Sequence, residues 1–280
     1  MKQTNPTKII SLVIVMLLQT YAFAHGSLSA RIAERTNEIA NSPNNAKLFY
    51  ERGFLYQQHK EFTKAIKDYN QSQKLGFDDS IINFRKSQSY YYNDNFQLAE
   101  AEINLYIKSN PSDVKGLKLF AQIQNRLENY PEALSSYWNV LINTIDIRPE
   151  DIIECSEIAL NVNPSNYDEP LKIIDFGLNK IGSNTITLLL KKLDYYKFSN
   201  QQTKSLELYN HFIESVNRKE FWYYKKATYL VEINKKNDAK IALQQALFAI
   251  DLLNLKVENA EAIINLKTNI TQLQKTIYHE

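Results

Sequence analysis

Cys155 is the only cysteine in 280 residues, so no intrachain disulfide can form and stability must come from packing. A lone cysteine reads as a small buried hydrophobe rather than a redox or covalent centre. Histidine is also scarce, at four residues. His25, His59, His211 and His279 never stand three or four residues apart, so metal-ligand and acid–base spacings are missing. There is no glycine-rich phosphate loop and no G-x-S-x-G elbow. The acidic pairs Asp78-Asp79 and Glu150-Asp151 fall at turns or helix starts, where carboxylates favour exposed amides, and they form no convergent catalytic pair. Lys191-Lys192 and Lys235-Lys236 lie among acidic neighbours and read as solvated faces. No cofactor, metal or catalytic residue is expected from this inventory.

An excess of charge is also absent. The chain carries 33 Lys+Arg against 31 Asp+Glu. Residues 1–24 read as an export signal: Lys2 and Lys8, an apolar run from Ile9 to Leu18, then Ala22-Phe23-Ala24 as a small-x-small cleavage pattern. Loss of Lys2 and Lys8 leaves 31 charges of each sign. A neutral chain has no global electrostatic reason to hold nucleic acid. The apolar run is about half a bilayer span, so stable membrane insertion is not expected once the signal is removed, and retention as an anchor is the alternative. No cysteine follows the run to carry a lipid. The expected location is outside the cytoplasm, periplasmic or secreted.

What is present is a beat of 34 residues. Phe49, Gly53 and Tyr56 fall on one stretch, and Phe62, Ala65, Tyr69 and Ser72 on the next. One period on stand Ser87, Tyr90, Phe96, Ala99 and Ile103, and another period on Ala121, Tyr130, Ala133 and Tyr137. Two amphipathic helices per period imply stacked helix hairpins. Gly53 with Ala65, and Ala121 with Ala133, are small enough for close helix approach, and Gly76 can end a helix at positive φ. Residues 25–45, with a helix over 27–40 faced by Leu28, Ile32 and Ile39, read as an N-terminal cap. Three clear repeats occupy 46–147 and looser helix pairs 148–256, with Pro170 starting one helix. Residues 257–280 read as a long C-terminal capping helix, with Ala260, Ile263, Ile264, Leu266, Ile270, Leu273 and Ile277 on its apolar side. Phe221-Trp222-Tyr223-Tyr224 cannot all face one side of a helix, so at least one is exposed or covers the preceding hairpin.

On these residues the chain resembles the tetratricopeptide repeat family. Phe49, Gly53 and Tyr56 match its first helix, and Ala65, Tyr69 and Ser72 its second. Pro111 matches its closing proline. Gln124 replaces the first-helix Tyr of the third repeat, and Pro170 and Ser205 stand where Ala is expected later. The resemblance implies an all-α, right-handed superhelical solenoid of antiparallel hairpins whose first helices line a concave, partner-holding face. It is similar to the exported bacterial members. Some cytoplasmic members hold an acidic C-terminus through a Lys/Asn clamp; the matching positions here are Tyr50, Phe54, Arg85, Lys115 and Leu119, so that clamp is largely absent.

With hairpins in register, Tyr50, Phe54 and Gln57 should face the groove, then Phe84, Gln88, Tyr91 and Tyr92, then Lys118, Gln122 and Arg126. Such an aromatic and amide shelf with a basic end suits an extended peptide with apolar side chains and an acidic residue. The opposing expectation is that these aromatics pack between helices. A non-enzymatic interaction module or scaffold in the cell envelope leads. An obligate subunit of a larger envelope complex follows, and an enzyme or enzyme accessory protein comes third.

Overall fold

The computed structural model describes residues 28–254, 257 and 260–279. The expected export signal and residues 25–27 of the expected N-terminal cap lie outside the described residues. Every element among the described residues is helical: α1 (28–41), α2 (Ala46–Gln58), α3 (Phe62–Lys74), α4 (Ile81–Tyr92), α5 (Phe96–Ser109), α6 (Val114–Arg126), α7 (Tyr130–Asn143), α8 (Pro149–Val162), α9 (Asp168–Ile181), α10 (Ile186–Phe198), α11 (Gln202–Ser215), α12 (Glu220–Glu232), α13 (Lys236–Asp251) and α14 (Glu261–His279). Two compact units divide the chain after Asp146. In the first, hairpins α2/α3, α4/α5 and α6/α7 pack in sequence, and the first helices α2, α4 and α6 also neighbour one another. In the second, α8/α9, α10/α11 and α12/α13 follow the same order, and α14 lies on α12 and α13.

The beat is written in the backbone as well as in side chains. Lys60, Asp94, Glu128, Asn200 and Asn234 sit in hairpin turns with φ between 54° and 63°, the left-handed region. The next residue donates its N–H to a carbonyl five residues back: Glu61 to Tyr56, Asn95 to Tyr90 and Asn129 to Gln124 at 2.9 Å, Gln201 to Tyr196 at 2.8 Å, and Lys235 to Leu230 at 2.7 Å. This closure satisfies the last carbonyls of each first helix and reverses the chain. Five residues after each left-handed residue comes a small, fully buried one: Ala65, Ala99, Ala133, Ser205 and Ala239. Ser205 is tolerated because its hydroxyl donates to the Gln201 carbonyl at 3.1 Å. Two further periods from residue 128 would reach 196, but the next such turn stands at 200. The longer Asn163–Asn166 connection between α8 and α9 accompanies that shift.

Close approach explains the small residues. A Cβ on Gly53 would lie 2.9 Å from the Tyr69 ring and 3.2 Å from the Ala65 carbonyl oxygen. Ser87 bridges the equivalent interface of the second hairpin by donating to the Ala99 carbonyl at 2.8 Å. Gln124, the departure from Tyr, is fully buried and satisfied: its amide donates to Glu100 at 2.7 Å and accepts from Asn129 at 2.7 Å. Arg52 forks onto both oxygens of Asp68, at 2.7 and 2.8 Å, and reaches Thr36 of α1 at 3.2 Å, tying three helices together.

Several element boundaries differ from the sequence reading. α9 starts at Asp168, so Pro170 lies in its first turn, where its missing N–H has no intrahelical partner to lose. The terminal helix starts at Glu261 rather than 257; Ala260 sits in a bend whose N–H reaches the Val257 carbonyl. Ile263, Leu266, Ile270 and Ile277 are buried, whereas Ile264 is 51% exposed because one residue turns the side chain about 100° from the stripe. Of the four-aromatic run, Trp222 stacks on Phe212 of the preceding hairpin at 4.1 Å, and Phe221, Tyr223 and Tyr224 pack on the α12–α14 core.

Candidate functional site

In the first unit, side-chain contacts link groove candidates on α2 to α4 and on α4 to α6. Phe54 of α2 lies under the Arg85 guanidinium of α4, 4.6 Å from centroid to Cζ. One turn along, Gln57 donates to Gln88 at 3.1 Å, and Gln88 also accepts from Arg85 at 3.3 Å. The buried Tyr69 hydroxyl donates to Gln57 at 2.8 Å, so the shelf is anchored to the hairpin core. Burial pushes the Tyr69 phenol well above its ordinary pKa, which keeps it a neutral donor. Further along, Arg126 of α6 covers Phe96 at 4.3 Å and Tyr91 at 6.0 Å and donates to Asp94 at 3.2 Å.

The other candidates divide. Tyr92 is 60% exposed and stacks on Phe62 at 5.4 Å. Tyr91 is half-buried, edge-on to Tyr92 and Phe96. Lys118 and Gln122 are half-buried, and the Lys118 ammonium stands 5.8 Å from the ring of Tyr137. Phe84 does not belong to the face: it is buried beside Tyr106, at 5.1 Å, among Ala99, Ile103 and Leu119. Its neighbour Arg85 takes the outward position one residue on, about 100° around the helix. Tyr50 does double duty. It stacks on Phe77 at 4.6 Å and closes the first hairpin, yet it also lines a cleft of about 270 Å³ with Phe54, Arg31 and Arg35 between α1 and α2.

Sequence reasoning left Arg85 out of the shelf although it stood at a clamp-matching position. Its buried Nε has no hydrogen-bond partner, and no carboxylate lies within ion-pair distance among the described residues. The missed signal was a spacing. Phe54–Arg85 and Gln57–Gln88 are 31 residues apart, and Asp94–Arg126 is 32 apart, so facing first helices meet three or two residues short of the repeat.

Elsewhere the chemistry is structural. The Cys155 thiol is buried and pushed well above its ordinary pKa, away from a reactive thiolate. Among the described residues, no group of three or more His, Cys, Asp or Glu side chains is arranged to hold a metal ion. None of the described helices is long and apolar enough to cross a membrane.

No protein-family model and no curated protein sequence matches the chain. Solved structures do. The C-terminal part of a TPR repeat-containing protein from Cytophaga hutchinsonii superposes with a TM-score of 0.57 at 12% identity, over 81% of this chain and 96% of that one. A tetratricopeptide repeat protein from Parabacteroides merdae gives 0.54 at 14% identity, over 91% and 97%. The fold is that of tetratricopeptide repeat proteins. YrrB, a TPR protein with an unusual peptide-binding site, gives 0.51 at 13% identity, over 62% of this chain and 87% of that one. At such identities the likeness is one of fold.

Proposed function

We propose that this chain is an exported, non-enzymatic protein-interaction module that holds a peptide or protein segment on the α2/α4/α6 face. The observation that carries the reading is Arg85. Its guanidinium lies on the ring of Phe54, bonds one amide, and meets no carboxylate at ion-pair distance among the described residues. A cation so placed on an aromatic and amide shelf suits an acidic side chain flanked by apolar ones. Tyr92 and the Tyr50–Phe54 cleft offer apolar contact on either side. YrrB supplies a precedent for peptide binding on this fold. Export rests on residues 1–24 alone, and fractionation of the native cells tests it.

Selection of random peptides on the purified chain tests the face. Recovered peptides should carry Asp or Glu beside aliphatic or aromatic residues, and Phe54→Ala should weaken them about tenfold. Peptides without acidic bias, or equal binding to the variant at unchanged helical content, would sink the proposal.

The second reading, an obligate subunit of a larger envelope assembly, is favoured by Phe248 of α13 and Leu252 just past its end, 64% and 71% exposed. Sedimentation of the free chain separates the two: a monodisperse monomer fits the transient binder, and self-aggregation the subunit.

A further inference from the structure

The second unit contains a cleft of about 290 Å³ where α11, α12 and α13 meet. Leu206, Leu230 and Ile241 make its walls, and Lys226 and Asn210 its polar end. The Lys226 ammonium donates to Asn210 Oδ1 at 2.7 Å. No carboxylate reaches ion-pair distance among the described residues; Asp238 acts on it only across space. The contrast on α10 is direct. Lys191 and Lys192 are also partly withdrawn from water, but each meets a carboxylate at 2.6 Å, Glu157 and Asp175. Lys226 instead bonds one neutral amide in a mixed cleft that it shares with Asp238, and burial lowers its pKa. A half-desolvated cation without an ion-paired carboxylate is relieved by an anion entering beside it. Ile241, 55% exposed at the rim, is apolar surface that an aliphatic chain would cover.

We propose that this cleft binds a small aliphatic monocarboxylate, its carboxylate on Lys226 Nζ and its hydrocarbon chain between Leu206, Leu230 and Ile241. The Nδ2 of Asn210 is the second donor to the carboxylate. The volume suits a ligand of roughly ten non-hydrogen atoms. Asp238 lines the same cleft from the first turn of α13, and its charge disfavours a second carboxylate on the ligand. The site is separate from the α2/α4/α6 face and does not depend on it.

Titration of the full chain with hexanoate, hexanol, hexylamine and adipate, followed by calorimetry, tests the assignment. Hexanoate should bind saturably and about tenfold tighter than each of the other three. It should also shield Lys226, and not the exposed neighbour Lys225, from reductive methylation read by mass spectrometry. Lys226→Met keeps the apolar length of the side chain and should lower hexanoate affinity about tenfold or more, with its circular dichroism unchanged. A folded Lys226→Met that binds hexanoate as well as the original chain overturns the proposal. So does equal binding of hexanol, or the absence of saturable hexanoate binding. Asp238→Asn supplies an independent check, since losing its charge should strengthen adipate binding more than hexanoate binding.

Discussion

Gly53 leaves no space for a methyl group. Its Cβ would press on the Tyr69 ring, which is fully buried and held through its hydroxyl by Gln57. Gly53→Ala should therefore cost about 1–3 kcal/mol in urea unfolding, the usual cost of overpacking. Gly76→Ala meets nothing nearby and carries only the strain of φ +95°, about 1 kcal/mol. Equal losses in the two variants would show that the first hairpin is not closely packed at Gly53. Lys226 carries a prediction of its own. Its folded pKa lies below the unfolded value, so the charged form opposes folding at all pH below the folded pKa. That cost disappears as pH rises from the folded towards the unfolded pKa, because the unfolded chain then binds the extra proton. Lys226→Met should raise the unfolding free energy at neutral pH by no more than about 1 kcal/mol after solvent screening, and the gain should shrink in the alkaline range. A gain that stays constant up to strongly alkaline pH would mean Lys226 is not desolvated. Lys191 and Lys192, whose pKa values are raised, contribute with the opposite sign and lose their stabilisation only above the ordinary lysine range.

At the scale of elements, the hairpin turn is the repeated unit, and it places unequal demands on its residues. Asn200 and Asn234 tolerate left-handed backbone because a short amide side chain adopts it readily, whereas Lys60 and Glu128 gain nothing from their side chains there. Lys60→Gly should stabilise the chain by about 0.5–1 kcal/mol, and Asn234→Gly by much less. Equal effects in thermal melts would argue against a strained turn at Lys60. The same turn aligns each small residue with its close contact, so a change in turn length moves the whole second helix. Between α8 and α9 a longer connection takes its place, and there Gly177 supplies the close approach: its Cβ would meet Ile152 at 2.5 Å.

At the scale of the whole molecule, charge balance governs association. With 33 basic against 31 acidic side chains, attraction to a partner must be local, centred on Arg85 and Arg126 rather than on a global field. An acidic peptide selected on the α2/α4/α6 face should bind less tightly as salt rises from low to physiological strength, because these guanidinium groups are partly exposed. Affinity independent of salt would mean the shelf binds through apolar contact alone. The two compact units also carry unlike surfaces. The first presents the aromatic and guanidinium row, and the second the single-lysine cleft.

The hairpins, their small contact residues and the terminal helix were legible because helical period and residue volume are local properties. Ala65, Ala99 and Ala133 announce close packing at any point where a helix pair forms, and the apolar stripe of α14 announces a buried side. Single-residue facing was not legible. Phe84 and Arg85 are adjacent in sequence, and only the tilt between α4 and its neighbours decides that the ring goes inward and the guanidinium outward. The same holds for Tyr50, which stacks on Phe77 across a turn, and for the groove partners, which meet at 31 residues instead of 34. By itself, then, the sequence determined a stack of helix hairpins without disulfide or recognisable catalytic chemistry, because periodicity, glycine and alanine positions and scarce cysteine and histidine are written residue by residue. Tertiary structure alone decided which cations lack a counter-charge, because the distance from Arg85 or Lys226 to a carboxylate depends on how neighbouring helices rotate and tilt.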